Sequence, residues 1–277
     1  MIELPEARIL AKQLNETVGG KKITRIIPAQ NAHKFAWYAG DPGEYPELLE
    51  GCVIHDVYNT GGMVEADLGG IFMVFSEGII LRLHDGPDTV PAKHQFYAEF
   101  ENGRILTAGI QMYGGICCFR EGEYDNKYYF TAREKPDPFT DGFTFEYFSS
   151  LFSSCSPKIS ANSAKAFLAT EQRIPGLGNG VLQDILYNAG VHPKRKMGTL
   201  SGEEFRNLYN RIKETLSEME ARGGRNTEKD LFGEPGRYGT KMSRLTMGQP
   251  CGTCGTTIEK KPYMGGAVYF CPKCQPL

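Results

Sequence analysis

No stretch of this sequence approaches eighteen consecutive apolar residues, so a membrane-spanning helix is not expected. The N-terminus opens with Glu3 and Glu6 and lacks a basic segment followed by an apolar one. A secretory leader is therefore not expected, and the bacterial cytoplasm or nucleoid is the expected setting. Internal repeats and low-complexity tracts are missing. A charge excess is missing too: 31 Lys/Arg stand against 33 Asp/Glu, a net −2 that argues at first against a nucleic-acid partner.

That near-neutral total hides an asymmetry. Residues 1–155 carry 13 Lys/Arg and 22 Asp/Glu, whereas residues 156–277 carry 18 and 11. The C-terminal part is thus basic enough for phosphate binding, although basic solvated faces are common. With 40% hydrophobic and 23% charged residues, 277 residues suffice for two compact domains and a small appendage.

Eight cysteines in a reducing setting are not a disulfide framework. Cys52, Cys117, Cys118 and Cys155 read as small buried apolar residues. The other four form Cys251-x2-Cys254-x16-Cys271-x2-Cys274, two knuckles that a hairpin can close into a tetrahedral site. Four thiolates leave no open coordination position, so the expectation is one structural Zn²⁺ and no catalytic metal.

Periodicity predicts an N-terminal helix from Leu4 to Thr17 stopped by Gly19-Gly20. Short apolar runs punctuated by glycine follow, at Ile23–Ile27, Val53–Val57, Ile71–Phe75, Ile79–Leu83, Phe96–Phe100 and Ile116–Phe119. They predict an antiparallel sandwich or barrel. The proline-rich Lys135-Pro136-Asp137-Pro138 marks a boundary, and the pattern then turns helical. Ser201 and Glu204 form a capping box ahead of a helix that ends at Gly223-Gly224, and about Arg225 to Gly248 reads as loop. The expected fold class is α+β multidomain: a helix plus β-sandwich over 1–134, helices over 135–245 and a four-cysteine hairpin over 246–277.

Between Ile174 and Lys196, Gly176 and Gly178 make a turn that leaves Asn179 at the start of a helix running to about Ala189. Backbone N–H groups at a helix start beside glycines form a natural phosphate site. Lys194, Arg195 and Lys196 just beyond could add phosphate contacts.

Met1-Ile-Glu-Leu-Pro-Glu6, the Gly176-to-Pro193 run and the terminal four cysteines together resemble the formamidopyrimidine-DNA glycosylase/endonuclease VIII family, in order and separation along the whole chain. The resemblance implies a β-sandwich, a helix–two-turn–helix module and a zinc hairpin around damaged double-stranded DNA, with the damaged base flipped out of the stack. It implies a phosphate-binding role for Asn179 with Gly178, Lys194 and Arg195 nearby, and matches Lys93-His94 to a family Lys-His pair, so His94 joins the expected DNA contacts. The family's stretch that fills the vacated stack falls on Gly109–Gly114, leaving Gln111, Met112 or Tyr113 as the wedge.

The chain also departs from the family pattern. Glu3 matches the general acid/base, but Ile2 stands where the family has its proline nucleophile, and its bulk should keep Met1 in place. A family lysine falls at about Gly62 and the hairpin's phosphate-clamping arginine at about Gly266. Three readings follow: a glycosylase in which Glu3 acts without a covalent amine intermediate and with weak or no lyase activity, a covalent route through the Met1 amine, or a DNA-binding relative without catalysis. Glu3 also admits a purely structural reading as a helix N-terminal carboxylate, and structured RNA is the alternative partner.

Overall fold

The computed structural model describes residues 1–29, 33–153 and 160–277, and Cys155 lies outside the described residues. The chain divides into two units, one of Met1–Phe130 with Glu228–Gly236 and the other of Thr131–Thr227 with Arg237–Leu277.

In the first unit, α1 (Leu4–Val18) begins with Pro5 in its first turn, where a missing N–H costs nothing. It buries Leu4, Ala7, Leu10, Ala11, Leu14 and Val18 along one stripe. Gly19 and left-handed Gly20 end it. The sheet comprises β1 (Ile23–Ile27), β2 (Ala36–Tyr38), β3 (Asp56–Thr60), β4 (Met63–Asp67), β5 (Ile71–His84), β6 (Phe96–Phe100) and β7 (Ile105–Arg120), with a short α2 (Tyr45–Leu49) before β3. Its order is β1-β6-β7-β5-β4-β3, and β2 adds to β7 in parallel.

The registers explain how one sheet becomes a sandwich. The first part of β7 pairs with β6 and with Ile79–His84 of β5, while the last part of β7 pairs with Ile71–Glu77, of which Phe72–Ser76 also pair with β4. The two long strands therefore run through both layers, and the break between them lies at Glu77/Ile79. Irregularities of this kind bend a strand and let a sheet fold over itself. Phe75 from one layer meets Phe96 from the other edge to face, with ring centroids 5.6 Å apart. Ile23, Ile26, Val64, Met73, Leu81, Ala98 and Leu106 fill the core with them.

Two runs read from the sequence as separate strands, Ile71–Phe75 and Ile79–Leu83, are thus one strand of 14 residues. The expected strand at Val53–Val57 begins later, at Asp56. Cys117 and Cys118 are buried in β7, and Cys52 is half-buried.

Residues 228–236 belong to the sandwich although they come about a hundred residues later. Leu231 is fully buried in its core, its carbonyl accepts the Leu83 N–H at 3.0 Å, and its N–H donates to Gln13 Oε1 at 3.0 Å. Arg82 Nη1 donates to the Asp230 carbonyl at 2.9 Å.

The second unit contains α4 (Phe145–Ser153), α5 (Ala164–Ala169), α6 (Asn179–Asn188), α7 (Gly202–Ala221) and a hairpin of β8 (Glu259–Tyr263) and β9 (Gly266–Phe270), and the division between units falls within α3 (Lys127–Glu134). Phe143, Phe148, Phe167, Phe205 and Tyr209 form an aromatic cluster under α4, α5 and α7. The capping box is present in full: Glu204 N–H donates to Ser201 Oγ at 3.1 Å, and Ser201 N–H donates to Glu204 Oε2 at 2.8 Å. No helix among the described residues is long and apolar enough to cross a membrane.

Candidate functional site

In the sandwich unit, Glu3 is the residue just before α1, with extended backbone, and it is 5% exposed. Its carbonyl takes the Ala7 N–H at 2.9 Å as the first turn of the helix. The Glu3 side chain accepts no capping hydrogen bond from α1. Ile2 places its side chain in the core and donates its N–H to the Glu77 carbonyl at 2.8 Å. The Met1 amine is ion-paired with the Glu228 carboxylate.

Glu77 itself is a non-glycine residue in left-handed backbone, φ 59°. Such strain persists only where neighbours impose it, and it gathers at functional sites. Burial pushes the Glu77 carboxyl above its ordinary value.

The strain has a visible origin. Pairing of β5 with β7 passes from Ile79↔Ile110 to Glu77↔Gly114, so Gly78 alone faces Gln111, Met112 and Tyr113. Those three residues are squeezed out as a bulge. A Cβ on Gly78 would collide with the Tyr113 carbonyl oxygen, which is why glycine stands there. Gln111 and Met112 are exposed, and Tyr113 stacks on Trp37 of β2 with centroids 6.1 Å apart and planes at 20°. The three wedge candidates thus share one irregularity of β7. His94 lies elsewhere in the unit, buried against Tyr97, and desolvation holds its imidazole below the ordinary value.

In the helical unit, Gly176 adopts φ 78° and Gly178 is the extended N-cap of α6, leaving Asn179 exposed at the first helical position. Asn179 Nδ2 donates to the Ala267 carbonyl at 3.2 Å. Gln183, one turn on and buried, donates to the carbonyls of Asn179 at 3.0 Å and Ala267 at 3.2 Å and accepts the Tyr269 N–H at 3.1 Å. It fastens α6 to β9.

Lys165 is 5% exposed, donates Nζ to the Tyr263 carbonyl at 2.8 Å, and has its pKa lowered by burial. A Cβ built on Gly266 would stand 3.6 Å from Lys165 Nζ and 3.7 Å from Asn179 Nδ2. Lys194 Nζ lies 5.0 Å over the Tyr263 ring. Two cations and a side-chain amide therefore converge on the turn of the β8–β9 hairpin, at the position where the sequence lacks an arginine. Sequence reasoning missed Lys165 and Gln183. The available signal was a lone lysine inside the apolar run Ala164–Leu168. Arg195, by contrast, is committed to a bidentate pair with Glu204, at 2.6 and 2.9 Å, and steadies the cap of α7.

The four cysteine Sγ atoms all lie within 4.8 Å of one another, with Cys251–Cys274 at 3.8 Å and Cys254–Cys271 at 3.4 Å. A tetrahedral ion with metal–sulfur bonds of about 2.3 Å sets its sulfurs roughly 3.8 Å apart, so the cluster fits a metal ion. Its supports are built from neighbouring helices. Asp184 of α6 accepts the N–H groups of Lys241 at 2.9 Å and Met242 at 2.7 Å, and Tyr187 O–H stands 3.1 Å from Cys251 Sγ. Gln275 donates to the Val191 carbonyl at 2.9 Å and accepts the Cys271 N–H at 3.0 Å. Outer partners of this kind orient metal ligands.

The sandwich thus carries a buried carboxylate at its first helix, and the helical unit gathers cations at the turn of a hairpin whose four cysteines could hold a metal ion. Residues 135–230 match the formamidopyrimidine-DNA glycosylase H2TH domain. Over 284 aligned residues, covering 100% of this chain and 99% of the relative, the sequence is 28% identical to a formamidopyrimidine-DNA glycosylase of Bacillus cereus. It is 26% identical to that of Listeria innocua, over 99% of this chain and 100% of the relative. The crystal structure of the MutM (Fpg) protein from Thermus thermophilus superposes with TM-score 0.81 at 26% identity, covering 99% of this chain and 98% of the other. A Lactococcus lactis Fpg complexed with DNA containing an oxidised pyrimidine shares the fold, with TM-score 0.83 at 22% identity over 99% and 100%. Residues 135–230 thus carry the family-specific H2TH domain, and the chain as a whole is similar to formamidopyrimidine-DNA glycosylases along nearly its full length.

Proposed function

We propose that the protein is a DNA glycosylase of base excision repair that removes damaged bases from duplex DNA with weak or no lyase activity. The observation that carries this reading is Glu3: a buried carboxylate that does not cap its helix, at the head of a chain that matches DNA glycosylases end to end. Glu3 acts by activating water or by stabilising positive charge as it develops on the sugar. Ile2 offers no side-chain nucleophile and its N–H is engaged with Glu77, which favours hydrolysis over an amine adduct.

The other site residues take roles that fit their surroundings. Asn179, the N–H groups after Gly178, and Lys194 bind backbone phosphate, joined by Lys165 in place of the arginine missing at Gly266. Gln111, Met112 or Tyr113 enters the stack where the damaged base has left it. Cys251, Cys254, Cys271 and Cys274 hold one Zn²⁺, which closes the hairpin and takes no part in bond cleavage. We read the chain as three working parts, 1–134, 135–245 and 246–277, acting in the bacterial cytoplasm.

The test is incubation with duplexes carrying single oxidised, ring-opened, alkylated or abasic sites, each split between borohydride and hot alkali, with Glu3→Gln alongside. Alkali-dependent cutting that needs Glu3, without borohydride trapping, is the expected result. Trapping would move the chemistry to the Met1 amine. Binding without cutting of any lesion would make the chain a non-catalytic DNA-binding relative.

A further inference from the structure

The helical unit holds a cavity of about 880 Å³, lined by none of the residues assigned above to DNA. Pockets for small organic ligands run from roughly 300 to 1,000 Å³. The end of α6 forms one wall, a stripe of α7 a second, and the segment leading from Lys241 into the cysteine knuckle a third. Ala189, Met242, Pro250 and Ile258 give it an apolar lining, and Tyr187 adds an aromatic ring.

The charged groups around this cavity are unevenly engaged. Arg211, Glu214 and Glu218 lie at three- and four-residue steps on α7 and so share one face. Glu214 is ion-paired with Arg211 Nη1, and Glu218 with Arg222 Nη2 at 3.1 Å. Both lining carboxylates therefore have an arginine already. Arg211 is less well served. Its Nε is shielded from solvent and has no hydrogen-bond partner among the described residues, and Nη1 makes the one printed bond of the guanidinium. The edge formed by Nε and Nη2, the fork that takes a carboxylate side-on, is unpartnered.

Lys241 supplies a second cation. Its backbone N–H is held by Asp184, but its Nζ makes no ion pair among the described residues. Nζ donates instead to Asn188 Oδ1 at 2.8 Å, and Asn188 Nδ2 donates to Thr215 Oγ1 at 2.8 Å. Thr215 is 1% exposed, so the ammonium is anchored to the cavity wall through a relay rooted in a buried hydroxyl.

This combination selects a ligand class. Two cations with donors to spare attract an acceptor that carries negative charge. Glu214 and Glu218 on the same face oppose a multiply charged anion and leave room for a single charge. The apolar lining and the Tyr187 ring suit a hydrocarbon or aromatic body. We propose that the cavity binds a small organic acid, its one carboxylate received by Arg211 and Lys241 and its apolar body laid against Met242, Ile258 and Tyr187. Thr253 and Cys274 of the knuckles also line the cavity, and the Tyr187 hydroxyl stands 2.7 Å from Thr253 Oγ1 and 3.1 Å from Cys251 Sγ. An occupant thus braces the metal-holding knuckles from behind.

The probe is naphthoate, with naphthamide as its neutral counterpart and naphthylmethylamine as its cation. Each is titrated into the zinc-loaded full chain, followed by calorimetry and by NMR of labelled Met and Ile methyl groups. Naphthoate should bind with a Kd of about 1 mM or tighter, as expected for a ligand of its size, and shift the Met242 and Ile258 methyl signals. Naphthamide should bind about tenfold more weakly, and the amine weaker still. Arg211→Gln and Lys241→Gln should each lower naphthoate affinity about tenfold with zinc content unchanged. Bound naphthoate should slow the loss of zinc to a chelator in the unaltered chain and not in Arg211→Gln. Should Arg211→Gln fail to fold, Lys241→Gln and the comparison of acid with amide still decide. Equal affinity for acid and amide, methyl shifts that spare Met242 and Ile258, or full affinity in both variants overturns the site. An unchanged rate of zinc loss overturns its tie to the knuckles.

Discussion

Gly78 and Gly115 are small residues with large consequences, because each lets another group occupy the space its side chain would need. Gly78 yields to the Tyr113 carbonyl and so permits the three-residue bulge; Gly115 yields to the Trp37 indole. Gly115→Ala should displace Trp37 and destabilise the sandwich by about 1–3 kcal/mol, the usual range for overpacking. A shift of Trp37 emission together with a lowered denaturation midpoint would confirm it; unchanged emission would refute it. Glu3 is the other residue whose effect can be isolated. Glu3→Gln keeps the shape and removes the charge, so base excision should fall by roughly 10²–10⁴ while the melting temperature stays near that of the unaltered chain. Loss of folding instead would assign Glu3 a structural duty.

At the scale of elements, α7 illustrates what local sequence controls. Ser201→Ala removes the acceptor for Glu204 N–H and should cost about 1 kcal/mol. The Arg195 hydrogen bond, then the Ser201 N–H, hold the Glu204 carboxyl below its ordinary value. A depressed carboxyl stabilises the fold above its unfolded pKa, and that contribution disappears as pH falls through the folded value. Melting curves of Glu204→Gln and the unaltered chain should therefore differ near neutrality and converge in acid. Persistence of the difference in acid would refute the linkage.

The α7 cap, α1 with its glycine stop, α6 and the knuckle spacing were legible in the sequence because each depends on residues within a few positions of one another. The continuity of β5 through Glu77 was not, since a strained glutamate in left-handed backbone resembles a turn when read locally. Nor was β2, three residues long and paired in parallel with Gly114–Ile116, far away in sequence. Lys165 escaped for a related reason. Its partners, the Tyr263 carbonyl and the space at Gly266, lie about a hundred residues away and are brought near only by the packing of α6 on β9.

Over the whole molecule, charge and the four-cysteine cluster carry the predictions. Affinity for DNA should fall steeply with salt, because each phosphate neutralised releases counterions. Lys165→Ala should weaken binding and flatten the log–log salt slope by about one unit, whereas Asn179→Ala should weaken binding across sequences with the slope unchanged, its amide being neutral. Equal slopes for Lys165→Ala and the unaltered chain would remove that lysine from the phosphate set. Cys251→Ser or Cys274→Ser should release the zinc and unfold the hairpin, and a strong chelator should do the same to the unaltered chain. A serine variant that kept one zinc per chain would sink the assignment.

The return of residues 228–236 to the sandwich bears on how the protein is made. Leu231 belongs to the core of a unit that is otherwise complete at Phe130. On the ribosome, at about 5–20 residues per second, that core waits roughly 5–20 s for its last side chain while the helical segment between is being synthesised. The N-terminal unit cannot then mature strictly in the order of translation. It stays an unfinished sandwich, its place for Leu231 unfilled, until residues 228–236 have been made.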